Sequence, residues 1–391
     1  KDQLNIEMGF SGYHTSRTDH FPFLAFSMEN VFVNGNLYDQ DKKRLLEIER
    51  LNFQLHPWDL LFQKYNIANI ELEGAAFYFH KDSTGSTNTK LITQILSGMR
   101  DKKVPTAEAS GQINLNQYFR NNIIEFRDLS IDYTDDLMHK MYQLTLREGT
   151  LSGNPQGQQL LLDLQSNCFF DGLVFKPENG AFLQKQIAQL KLKTTLTPDT
   201  IFFEPSTLRF RNELLHLQGS LSKDSPNHLK LNIRTDSILL DDARPLMDRK
   251  IQAVLERFEL DQPVRAEFKL DGLLRPFYPP KIELHFQGDS SHIALTDISS
   301  MEQASFKASF YNDYKTKGPQ IKPSDGALVI HSLTGRFMGM HPVDVKGKIH
   351  DLRGLRDVEF EGELNAWLPA LQEYMASPAV RFEKGMASVR L

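Results

Sequence analysis

Val264-Arg265-Ala266-Glu267-Phe268-Lys269-Leu270-Asp271 alternates apolar with polar residues without a break. Successive side chains of a strand point to opposite faces, so this stretch reads as a strand with one apolar and one wet face. The same period recurs around it. Ile282, Leu284 and Phe286 alternate with Glu283, His285 and Gln287; Leu229, Leu231 and Ile233 alternate with Lys230, Asn232 and Arg234. Further back, Leu190, Leu192, Thr194 and Leu196 alternate with Lys191, Lys193 and Thr195. Half-solvated strands of this kind pair antiparallel, whereas doubly covered parallel strands read as unbroken apolar runs. The expected fold is therefore mainly β with a few short helices, built on a long, twisted, largely antiparallel sheet. A β-sandwich is the alternative that the same alternation allows.

Several strands change phase partway. Leu46 and Ile48 keep one phase and Leu51, Phe53 and Leu55 the other, with Glu49-Arg50 between them. Ile124-Glu125-Phe126 and Leu129-Ser130-Ile131-Asp132-Tyr133 slip at Arg127-Asp128. A bulge at each slip returns the apolar residues to one face and adds twist. Helical spacing predicts three helices: Thr87 to Met99 with Thr87 or Asn88 as cap, Asp241 to Phe258 with Pro245 in its first turn, and Asn365 to Met375. Leu240-Asp241-Asp242-Ala243-Arg244-Pro245 and Leu364-Asn365-Ala366-Trp367-Leu368-Pro369 share a pattern, which reads as a repeated strand, helix, strand unit. Linkers are short and polar, and a boundary near residue 105 separates an opening unit, 1–105, from a repeating β continuation, 106–391.

The balance of 45 basic and 50 acidic residues gives a net charge of −5, which argues against a nucleic-acid partner. The single cysteine, Cys168, excludes an internal disulfide and reads as an inert core thiol in Asn167-Cys168-Phe169-Phe170. No run of 18 apolar residues exists. The chain opens on Lys1 and ends in a strand pattern at Val389-Arg390-Leu391, and so reads as a piece of a longer protein.

Chemistry-bearing motifs are missing. The 12 histidines form no H-E-x-x-H or H-x-H pattern, and His80 and His285 fall on strands where they face water or make a local hydrogen bond. Gly153-Asn154-Pro155-Gln156-Gly157 is a turn and no phosphate loop. The Asp-rich groups at Asp132, Asp135 and Asp136 and at Asp241-Asp242 lack calcium-loop spacing and read as caps and turns. No catalytic residue, metal site or cofactor is expected.

The first hundred residues carry a more specific order. Leu45 to Leu55 and Ile67 to Gly74 read as strands around a helical turn at Pro57-Trp58-Asp59-Leu60-Leu61. Ala76-Phe77-Tyr78-Phe79-His80 then runs into Gly85-Ser86-Thr87-Asn88. Over residues 20–100 this order resembles the start of the AsmA-like family. Gly-punctuated strands such as Leu333-Thr334-Gly335-Arg336-Phe337 and Val343 to Ile349 extend the resemblance. It implies a periplasmic β-protein of Gram-negative bacteria related to bridge-like lipid-transfer proteins, whose sheet curls into an elongated groove. It also implies an inner-membrane anchor through an N-terminal helix not contained in this sequence, phospholipid as the ligand, and envelope protein partners.

The function expected on that basis is non-catalytic: shielding or conducting acyl chains along an apolar groove in envelope and outer-membrane biogenesis. The candidate lining residues are Leu190, Leu192, Leu229, Leu231, Ile233, Val264, Phe268, Ile282, Leu284 and Phe286. A structural module of an envelope assembly and a carbohydrate-binding β-protein are the alternatives. The only tryptophans, Trp58 and Trp367, fall on expected helical turns, which counts against the carbohydrate-binding one.

Overall fold

The computed structural model describes residues 7–17, 24–55, 67–88, 123–222, 227–273, 279–295, 298–314, 321–337, 340–351, 357–367 and 386–390. Two compact units divide the chain, Lys1–Asn212 and Glu213–Leu391. The expected turn at Pro57 to Leu61, most of the 87–99 helix and the boundary near 105 lie outside the described residues.

Unit 1 contains β1 (Met8–Gly9), β2 (Gly12–Arg17), β3 (Leu24–Val33), α1 (Tyr38–Asp41), β4 (Leu46–Leu55), β5 (Ile67–Lys81) and β6 (Ile123–Asp135). These are followed by β7 (Lys140–Gln156), β8 (Gln159–Lys176), β9 (Gly180–Phe182), β10 (Gln186–Leu196) and β11 (Thr200–Phe210). β1 and β2 share one edge of β3, and the order continues β3, β4, β5, β6, β7, β8. β9 and β10 share the next edge of β8, and β11 follows β10. Every pairing is antiparallel except β5 with β6, which is parallel. A parallel pair needs a crossover rather than a hairpin, and residues 82–122 form that connection.

The phase slips line up. Met28, Leu51, Leu72, Phe126 and Gly149 lie opposite one another from β3 to β7, and so do Val31, Ile48, Leu129 and Leu146 with Ala75 between them in β5. Two residues separate these rows in each strand: Glu29-Asn30, Glu49-Arg50, Glu73-Gly74, Arg127-Asp128 and Arg147-Glu148. Asn30, Gly74 and Asp128 take positive φ there. β8 crosses the same place with Ser166 and Cys168 in unbroken alternation, and both face the same side. The slip therefore keeps one continuous apolar face, as a bulge does. Gly74, at φ 62°, also makes one bent strand of what reads as two, since β5 runs from Ile67 to Lys81. On the wet face Glu29, Arg50, Glu73, Arg127 and Glu148 oppose one another with alternating sign. Arg50 Nη1 lies 2.8 Å from Glu73 Oε2. Each such exposed pair contributes a few tenths of a kcal/mol, and together they favour this register.

Unit 2 contains β12 (Glu213–Ser222), β13 (His228–Ile238), α2 (Leu240–Ala243), α3 (Arg249–Leu255), β14 (Phe258–Leu260), β15 (Val264–Leu273) and β16 (Lys281–Leu295). Then come β17 (Ile298–Tyr311), β18 (Ala327–Phe337), β19 (Met340–His350), β20 (Asp357–Trp367) and β21 (Met386–Arg390). It is an antiparallel meander in the order β12, β13, β15, β16, β17, β18, β19, β20, β21, with β14 beside the far end of β16. In each unit the described strands pair into a single sheet that no described pairing closes into a barrel. Neither unit is a two-sheet sandwich.

The expected helices are corrected. Asp241 to Phe258 is not one helix. α2 passes into a 3-10 turn at Arg244–Leu246, Met247 is extended, and Asp248 starts α3 by accepting from Ile251 N at 2.9 Å. A side chain that caps its own backbone favours a new start over continuation. Leu240 and Leu246 are buried, whereas Ile251 and Val254 are exposed. Asn365, Ala366 and Trp367 end β20, opposite Ser388, Ala387 and Met386 of β21, rather than starting a helix. The two L-[DN]-x-x-x-P stretches thus begin different structures and are no repeat.

Candidate functional site: the apolar faces

In unit 2 the apolar residues meet row by row. Leu217 opposes Ile233, Ile233 opposes Phe268, and Phe268 opposes Leu284. The row continues through Phe310, Leu328, Ile349 and Val358. Beside it run Ala266, Phe286, Ala308, Ile330, Gly347 and Phe360. Directly opposed residues share a face and pack on one another. The first row is half-buried along its length until Val358, and Val358 and Phe360, at its edge, are 47% and 46% exposed.

The other face of the same strands is mostly wet, with Arg234, Arg265, Asp271, Lys307, Lys346 and Glu359 exposed, and is covered at one place. Ser309, Ala327, Val329 and His350 are buried there. The Tyr314 ring packs 5.4 Å from His350 and 5.9 Å from Tyr311, so the chain leaving β17 folds back over this side. The apolar side has fewer exposed residues than the polar side, yet its first row stays half-buried rather than closed.

Eight of the ten candidate residues, Leu229, Leu231, Ile233, Val264, Phe268, Ile282, Leu284 and Phe286, fall on this one face. Val264 sits at its end opposite Ile238, and both are buried. Leu190 and Leu192 belong to unit 1, where they oppose Ser166 and Leu164 on that unit's apolar face. Sequence reasoning missed Phe310, Leu328, Ile349 and Val358. Val345 to Ile349 alternates too, whereas Ala327 to Ile330 is apolar at every position, and only the register joins these residues to the row.

Phenylalanines lie over glycines at several cross-strand pairs. Gly9 opposes Phe32, Gly149 opposes Phe126, Gly288 opposes Phe306 and Gly347 opposes Phe360. In each pair a Cβ added to the glycine would run into the ring. The ring covers backbone that glycine leaves bare, and the missing side chain lets the sheet bend there.

Unit 1 is more closed at the middle of its apolar face. Ala75, Leu146, Cys168 and Ala188 lie along one row and are at most 3% exposed. The Cys168 thiol donates to Ala188 O at 3.3 Å, and burial pushes its pKa up to about 11, which makes it inert.

The polar clusters are structural ties. His80 bridges two carboxylates, with Nδ1 2.9 Å from Asp41 and Nε2 2.9 Å from Asp136. Burial alone would lower its pKa, but Asp136 and Asp41 together outweigh that and raise it. Asn88, fully buried, accepts from His80 N at 2.8 Å and donates to Tyr78 O at 2.7 Å. The Gly85-Ser86-Thr87-Asn88 stretch is therefore a clasp on β5. In unit 2 the Ser309 hydroxyl lies 2.8 Å from both His285 Nδ1 and His331 Nε2, and His285 Nε2 lies 3.4 Å from Glu283. The group resembles a nucleophile with its base, but Ser309 is 2% exposed and works as a cross-strand tie. Among the described residues no three His, Cys, Asp or Glu side chains are placed to hold a metal. No described helix is long and apolar enough to cross a membrane.

Compared with models of known protein families and with curated proteins, the chain has no match.

Proposed function

We propose that this chain is a non-catalytic lipid-handling protein of AsmA-like character that shelters phospholipid acyl chains against its half-open apolar sheet face. The observation that carries this reading is the row from Leu217 to Val358, which is apolar at every strand it crosses yet only half-buried from Leu217 to Ile349. Each methylene moved from water onto such a surface contributes about 0.8 kcal/mol, so a C16 chain would contribute on the order of 10 kcal/mol before ordering costs. Head groups would remain hydrated and need no enclosed polar pocket. In this reading the protein works in the periplasm, tethered to the inner membrane by a segment outside this sequence, with envelope proteins as partners in outer-membrane biogenesis.

The test is Phe268→Asp. Phe268 is half-buried in the middle of the row. A carboxylate there keeps access to water, so the variant should stay folded at a cost of about 1–2 kcal/mol of lost apolar burial. Native mass spectrometry of detergent-free wild type should show bound phospholipid, and the folded variant should lose it. Equal lipid occupancy in both would remove Phe268 from the binding face, and lipid-free wild type that resists loading would refute the proposal.

A further inference from the structure

One end of unit 1's apolar face shows a graded change of chemistry. From the buried Leu129 and Leu146 row, the next row outward holds Phe77, Ile131 and Leu144. The row after it holds Phe79, Tyr133 and Tyr142, and the last holds Lys81, Asp135 and Lys140. All stand on one face, because each is two residues along its strand from the one before. The order is aliphatic, aromatic, then cationic, over about 13 Å at ~3.3 Å per residue.

The aromatic row is built and partly open. Tyr133 and Tyr142 stack at 5.4 Å, and Tyr142 meets Phe175 at 5.1 Å, with Phe175 exposed. The cationic row has one more positive than negative charge. Asp135 is buried and already committed: it accepts from Met138 N at 2.8 Å and from Tyr133 Oη at 3.3 Å, and Lys81 Nζ lies 3.4 Å away. Lys140 is half-buried on the other side and makes no hydrogen bond or ion pair among the described residues. Burial, with Lys81's like charge, holds its ammonium below the usual lysine range despite Asp135. A desolvated cation beside an aromatic and aliphatic surface is complementary to an anionic amphiphile.

We infer that this end of unit 1 seats the anionic head group of a phospholipid, with Lys140 and Lys81 on the phosphate side and the acyl chains against the Phe77, Ile131 and Leu144 row. This rests on the lipid-handling reading and adds a head-group preference and a polarity to it.

The experiment measures pickup of fluorescently labelled phosphatidylglycerol and phosphatidylcholine by the whole chain from vesicles of each. The wild type should favour phosphatidylglycerol about fivefold to tenfold, the range of one charge-assisted contact. Lys140→Met should bring that ratio close to one, Lys140→Arg should preserve it, and Lys191→Met, an exposed control on the wet face, should leave it unchanged. Thermal unfolding of each variant shows that it folds. A wild-type ratio of one, or a ratio that Lys140→Met leaves intact, overturns the head-group inference and spares the lipid-handling reading. Absence of pickup of either lipid overturns both. Inorganic phosphate that binds through Lys140, with no lipid preference, overturns the assignment to a lipid head group.

Discussion

Gly149→Ala and Gly288→Ala should differ by about 2 kcal/mol although both place a methyl group beneath a cross-strand phenylalanine. At Gly149 the new Cβ would collide with the carbonyl oxygen of Gln165 and lie 2.7 Å from Phe126 Cζ and 2.8 Å from Ser166 Cβ. Phe126 and Ser166 are buried, and Gln165 belongs to the β7 and β8 pairing, so nothing there yields cheaply. Overpacking of this kind costs about 1–3 kcal/mol, and an unyielding backbone places Gly149→Ala at about 3. At Gly288 the colliding atoms all belong to the Phe306 ring, at 2.7 Å, and that ring is half-buried and can swing outward. Losing its contact costs about 1 kcal/mol, and replacing glycine returns about 0.5 through the unfolded chain, so the net change stays below about 1. Hydrogen exchange read by mass spectrometry resolves each unit by its own peptides. The β7 and β8 peptides of Gly149→Ala should exchange about a hundredfold faster, and the β16 and β17 peptides of Gly288→Ala less than about fivefold faster. Equal effects, or the reverse order, would refute the assignment of backbone contact at one site and ring contact at the other.

The two units should answer pH in opposite senses. His80's folded pKa is raised from 6.5, so its contribution is complete below pH 6.5 and is lost as pH rises through the raised value. Urea midpoints of wild type and His80→Asn should therefore converge toward alkaline pH, and a constant gap would refute the bridge. His331's folded pKa is lowered from 6.5, by burial first and then by Lys307 and His285. Unit 2 should lose stability as pH falls below 6.5 and through that lowered value, and an imidazole titration by NMR that places His331 at or above 6.5 would contradict this.

The strand pattern was readable because a half-covered strand writes its two faces into alternate residues. Val264 to Asp271 and Ile282 to Gln287 became β15 and β16 on that signal alone. The slips at Glu49-Arg50 and Arg127-Asp128 were readable for the same reason. Their alignment from β3 to β7 was not, because it depends on which residues oppose one another. Periodicity misled where a local hydrogen bond or a distant strand decided the outcome: Asp248 restarted a helix, and β21 claimed Asn365 to Trp367. Of the candidate face, the residues between Leu229 and Phe286 were legible, and its continuation to Val358 was not. Lys81, Asp135 and Lys140 carry no motif and form one row only through the register.

The most direct measurement is photo-crosslinking of the detergent-free protein with a phospholipid carrying a diazirine on its acyl chain, with the sites mapped by peptide mass spectrometry. Acyl-chain shelter predicts label on Phe268, Phe310, Leu328 and Ile349, and none on Glu267, Tyr311 or Lys348 of the opposite face. Label spread equally over both faces, or confined to the polar one, would contradict it.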